Sequence, residues 1–81
     1  MAPRTPKTLQ QLLQQDGRSL TKLAAEMDSS ASTLTRWQTG QMEPSISSCQ
    51  SLAAVLGVSL QTIVAAVVET RDQARAREAQ A

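Results

Sequence analysis

The 81-residue sequence contains no histidine, phenylalanine or tyrosine, and it has one tryptophan and one cysteine. Without histidine, a single thiol provides neither the ligand set of a zinc site nor a Cys-His nucleophile, and Cys49 has no partner for an internal disulfide. Cys49 is therefore expected to pack as a small apolar side chain. With Trp37 as the sole aromatic residue, single-strand binding on a row of stacking rings is excluded, and the core must be built from Leu, Val, Ile and Ala.

Charge of neither sign dominates. The formal net charge is +1, so charge alone does not point to a nucleic acid. No apolar run reaches the roughly 20 residues of a membrane span, and the first residues lack a signal-peptide pattern, so the expectation is a cytoplasmic chain with no membrane partner. Strand periodicity, a Gly-rich phosphate loop and a convincing carboxylate pair are missing as well. No enzymatic activity, cofactor or metal is expected.

What is present is helical periodicity in a chain long enough for one small domain. "MAPRTPK" is polar, and residues 1–4 read as a flexible N-terminal arm, with Thr5 capping a first helix and Pro6 at its first position. That helix carries Leu9, Leu12 and Leu13 and stops near Asp16-Gly17. Ser19 caps a second helix whose apolar positions, Leu20, Leu23, Ala24 and Met27, share one face; it ends near Asp28.

A third helix follows Ser30 through "ASTLTRWQT", with Leu34 and Trp37 inward and Gly40 as the stop. Pro44 disfavours helix at Glu43, and Ser45 caps a fourth helix that carries Ile46, Cys49, Leu52, Ala53 and Leu56 before Gly57. Ser59 caps a fifth, bearing Leu60, Ile63, Val64, Val67 and Val68. The fold class is therefore all-α, with five helices in a compact domain over residues 5–68. Residues 69–81, polar on every side, form a helical or frayed tail, solvated or completed by a protein partner.

Between Leu23 and Gly40 the chain turns back within a few residues, and the second helix of the pair leaves Ala31, Ser32, Thr35 and Arg36 facing outward. Two short helices joined in this way match a helix-turn-helix, in which the first helix crosses the DNA backbone and the second enters the major groove.

At "LAAEMDSSASTLTRWQTG", with Pro44-Ser45 and "LAAVLGVSLQTIV" from Leu52, the sequence resembles the phage Cro and repressor (lambda repressor-like) helix-turn-helix family. The resemblance covers about residues 8–64 and rests on Leu23-Ala24, Asp28, Ser30, Leu34, Gly40, Pro44-Ser45 and Leu56-Gly57-Val58 in register. Asp28 stands in the turn where the family usually has Gly, and Asp enters the left-handed region at modest cost. Leu13 and Gln38 replace an Arg–Glu pair, which an apolar contact can substitute without loss. Leu20 replaces a phosphate-holding Gln, and Glu43 lies in a loop where the family carries basic residues.

The resemblance implies a small sequence-specific transcriptional regulator, repressor-like, acting as a homodimer on a palindromic site in double-stranded DNA. It implies a prokaryotic or phage-encoded source. Ala31, Ser32, Thr35 and Arg36 are the expected base-reading residues, with Arg36 suited to guanine O6 and N7. Ser19, Lys22, Thr39 and Gln41 are expected at phosphates, with Arg4 and Lys7 as a supplementary arm. Val64, Val67 and Val68 are expected at the dimer contact. The alternative is the same fold used as a protein-interaction or antitoxin-like module, which the low net charge and Glu43 favour.

Overall fold

The computed structural model describes residues 7–80. Five helices follow one another: α1 Leu9–Asp16, α2 Leu20–Glu26, α3 Ala31–Thr39, α4 Ile46–Leu56 and α5 Leu60–Gln80. No strand occurs among the described residues. The all-α, five-helix expectation is met.

Every helix begins on a hydroxyl residue. The side-chain oxygens of Thr8, Ser19, Ser30, Ser45 and Ser59 each accept the backbone N–H three residues on, at 3.1–3.2 Å. Such a cap satisfies one of the otherwise unpaired N–H groups of a first turn and is worth about 0.5–2 kcal/mol.

The start of α1 differs from the expected one. Thr5 and Pro6 lie outside the described residues, as does Arg4, but Lys7 and Thr8 are not helical and Thr8 is the cap. The Thr8 amide in turn donates to Gln11 Oε1 at 2.9 Å. This reciprocal box satisfies two backbone donors, whereas proline at a first position satisfies none, so the helix starts at the box.

Gly17, Gly40 and Gly57 close α1, α3 and α4 at positive φ, as read from the sequence. Helix α2 ends without glycine. Asp28 adopts φ +55°, its amide donates to Ala25 O at 3.3 Å, and the Ser29 amide donates to Ala24 O at 2.8 Å. This paired closure reverses the chain between α2 and α3 and requires a left-handed residue at position 28. Asp28→Gly is expected to preserve the fold and raise stability by less than about 1 kcal/mol, the relief of the left-handed backbone being partly offset by the freer unfolded chain. A rise of up to several degrees in melting temperature checks it; a clear fall would reveal a contact made by the Asp28 carboxylate.

The core takes two or three side chains from each helix, with Leu9, Leu23, Leu34, Leu52 and Ile63 fully enclosed. Trp37 and Cys49 are buried with them. Ile46 does not join the core: it is 78% exposed. Spacing alone groups it with Cys49 and Leu52, but it sits on the first turn of α4, and burial there needs another element lying across that turn.

The polar continuation of α5 is helical to Gln80, with residues 75–80 exposed, and its first part packs on its own chain. Thr70 is only 4% exposed; its hydroxyl donates to Ala66 O at 2.8 Å and accepts the Leu9 amide at 3.0 Å. An unpaired donor of the first turn of α1 is thus satisfied from α5. One turn further, Ala74 lies against Gly40 so closely that a Cβ built on Gly40 would stand 2.7 Å from the Ala74 Cβ. Small side chains at 70 and 74 let the α5 backbone approach the start of α1 and the end of α3, so this stretch packs without a hydrophobic stripe.

Candidate nucleic-acid interface

Helix α3 is held from behind by Leu34 and Trp37, both buried, which leaves Ser32, Thr35, Arg36 and Thr39 exposed along its other side. Ala31, expected beside them, is half-buried and offers only its edge. The Thr33 hydroxyl lies 2.9 Å from Ser30 Oγ and belongs to the cap.

The exposed side chains differ in what they can still offer. Thr35 Oγ1 donates to Ala31 O at 3.0 Å and Thr39 Oγ1 donates to Arg36 O at 3.2 Å, so both hydroxyls spend their proton on the helix and present a methyl group and an acceptor outward. Ser32 has no such bond among the described residues, and Arg36 makes no ion pair there. Arg36 thereby keeps its five N–H donors, the planar fork that fits the major-groove edge of guanine.

The phosphate candidates fall into separate groups. Ser19 and Lys22 share the first turn of α2: Ser19 Oγ accepts from the Lys22 amide and retains its own proton to donate, and the Lys22 side chain is exposed. Thr39 and Gln41 flank Gly40 at the C-terminal end of α3, where the Gln41 amide donates to Arg36 O at 3.0 Å. Lys7 is on the α1–α5 side of the molecule, beside a hollow lined by Leu12, Thr62 and Ala65, with its ammonium bonded to Gln15 Oε1.

In the dimer stripe, Val64 and Val68 are 48% and 39% exposed, but Val67 is partly buried and packs against the core. Leu60, at 38%, completes the exposed row one turn before Val64. At 100° per residue, Val67 sits closer than Val64 or Val68 to the inward line through Ile63, Ala66 and Thr70.

Three of the four arginines without an expected role make contacts that hold elements together. Arg18 joins the α1–α2 turn to α4, pairing with Asp16 at 2.7 Å and Glu26 at 2.5 Å and donating to Val55 O at 2.7 Å. Its side-chain hydrogen bond holds the Asp16 carboxyl below the usual range, with burial opposing it. Arg71 faces Glu43 at 3.6 Å, and Arg77 donates to Thr39 O at 3.3 Å. The signal for Arg18 is local, an acid two residues before it. Nothing in sequence spacing announces the other two pairs, which span 28 and 38 residues.

Burial pushes the Cys49 thiol up, away from the thiolate form, in keeping with packing as its role. The Trp37 indole N–H is buried without a partner among the described residues, and the ring is held there by contact.

The helix-turn-helix family model matches residues 9–63, which takes in α1 to α4 and the first turn of α5. No curated protein and no solved structure matches the chain.

Proposed function

The chain belongs to the Cro/C1-type helix-turn-helix family of DNA-binding regulators, and from that premise we propose that it is a repressor-like transcriptional regulator that reads a palindromic operator as a homodimer. It acts in the cytoplasm or nucleoid. The observation that carries the proposal is the outward row of α3, in which Ser32, Thr35 and Arg36 are exposed while Leu34 and Trp37 anchor the opposite side. Helix α3 enters the major groove, Arg36 reads a guanine, and Ser19, Lys22, Thr39 and Gln41 hold phosphates on either side. The row Leu60, Val64 and Val68 pairs with its copy about a two-fold axis, which sets the two α3 helices on successive half-sites.

Selection of bound duplexes from a random pool tests class and symmetry together: an inverted repeat is the expected product. Arg36→Ala should leave folding intact, cost about 1–3 kcal/mol in binding and relax preference at one base pair. Uniform weakening across sequences, with a salt slope lower by about one unit, would make Arg36 a phosphate contact instead. A chain used only as a protein-interaction module would show no salt-dependent duplex binding at all.

A further inference from the structure

The sequence places an acid, Glu43, and no base in the loop between α3 and α4, where contact with the DNA backbone calls for positive charge. In the folded chain that deficit is met from α5. Arg71 lies 3.6 Å from Glu43, and Arg77 donates to the last carbonyl of α3, Thr39 O, at 3.3 Å. The close approach of Ala74 to Gly40 fixes this part of α5 against the end of α3. Arg75 follows Arg71 by one helical turn, is exposed, and makes no ion pair among the described residues.

Electrostatics at that end of α3 make the placement consequential. The C-terminus of a helix carries a partial negative charge of about half a unit, which repels a phosphate. Arg77 neutralises it by donating to Thr39 O through one nitrogen, and its other N–H groups remain at that end of α3, beside Thr39, one of the proposed phosphate contacts. Arg71, set against Glu43 at 3.6 Å and its own neighbour Asp72 at 3.8 Å, offsets the second source of repulsion. Both terms act on the same strand of backbone, the one that passes the end of α3.

We infer that Arg77 is a phosphate-contacting residue supplied to the DNA interface from the far end of the chain, with Arg71 offsetting the charge of Glu43 and Arg75 adding to the positive field. This rests on the reading of α3 as the groove-entering helix. The partner is the sugar-phosphate backbone of the same duplex, so the contribution is to affinity and not to base preference.

Binding of the full chain to its selected duplex, measured over a range of salt concentrations, tests it with Arg77→Ala and Glu43→Gln, both at exposed positions. Arg77→Ala is expected to weaken binding to all sequences alike and lower the log–log salt slope by about 0.9, with Arg77→Lys restoring most of the slope. Glu43→Gln is expected to tighten binding at low salt, because it removes a negative charge beside the phosphates and leaves Arg71 paired with Asp72 alone, at 3.8 Å. An unchanged slope in Arg77→Ala, whatever its melting temperature, would overturn the inference and leave Arg77 as a helix cap. Unaltered affinity in Glu43→Gln would overturn the role of Arg71. Absence of duplex binding by the unaltered chain would overturn the proposed function and this inference with it, whereas failure of the variants alone leaves the proposed function standing.

Discussion

Gly40→Ala is expected to destabilise the protein by about 2–5 kcal/mol, the largest effect of any single-methyl change in the chain. Two independent costs meet at that position. Gly40 has φ +80°, where a Cβ costs about 1–2 kcal/mol against the carbonyl that follows it. The added carbon would also stand 2.7 Å from the Ala74 Cβ, which is fixed to the backbone of α5 and cannot swing aside. Overpacking of that kind costs about 1–3 kcal/mol. A domain of this length has about 4–12 kcal/mol of stability in all, so a large part of it is at stake.

Denaturant unfolding separates the two costs. In the Ala74→Gly background, where the opposing methyl group is gone, Gly40→Ala should lose the packing cost and retain the left-handed one, and the double-mutant cycle reports the difference as a coupling. Ala74→Gly has its own helix-propensity cost of about 1 kcal/mol, so the comparison must be made within that background. A cycle with no coupling would mean that α5 moves away freely, and the contact that sets it against α3 would then have little rigidity.

The second large effect is expected at Leu34. It is completely enclosed and, with Trp37, attaches α3 to the rest of the core. Leu34→Ala removes buried methyl groups and leaves a void that neighbouring side chains fill only in part, costing about 2–5 kcal/mol. Ile46→Ala, at a position 78% exposed, should stay within about 0.5 kcal/mol. Both substitutions shorten an aliphatic side chain of equal size, and burial is the main difference between the sites. Equal melting temperatures for the two variants would contradict the burial of Leu34 and the proposed mounting of α3.

Some elements were legible because their causes are local. Ser30, Leu34, Trp37 and Gly40 define α3 from within a single stretch: a hydroxyl that can accept an N–H, two apolar side chains three residues apart, and a residue free to turn left-handed. Asp28 was readable in the same way, being one of the few side chains tolerated at φ +55°. The start of α1 has its own local signal, the Thr8 to Gln11 capping box, which competes with the preference of proline for a first helical position. Ile46 shows the limit of periodicity, which says which side chains share a face of a helix and not whether anything covers that face at its ends.

The candidate interface divides along the same line. The outward residues Ser32, Thr35 and Arg36 follow from helical phase once Leu34 and Trp37 are inward, so they could be named from sequence. Whether each keeps a free donor could not, because the bonds of Thr35 to Ala31 O and of Thr39 to Arg36 O depend on the rotamer each side chain takes. The exchange of Val67 for Leu60 in the exposed row depends on how α5 is rotated against its neighbours, and only packing sets that rotation.

Hydroxyl caps, left-handed stops and apolar spacing act over one to four residues, and by themselves they determined five helices, the sharp α2–α3 turn and the side of α3 turned to solvent. Tertiary structure alone decided that Thr70 completes the first turn of α1, that Ala74 closes on Gly40, and that Arg71 and Arg77 stand beside Glu43 and Thr39. Those contacts join residues 28 to 61 positions apart. They form because two small side chains let α5 approach backbone closely at one place, a condition that no pattern within α5 expresses.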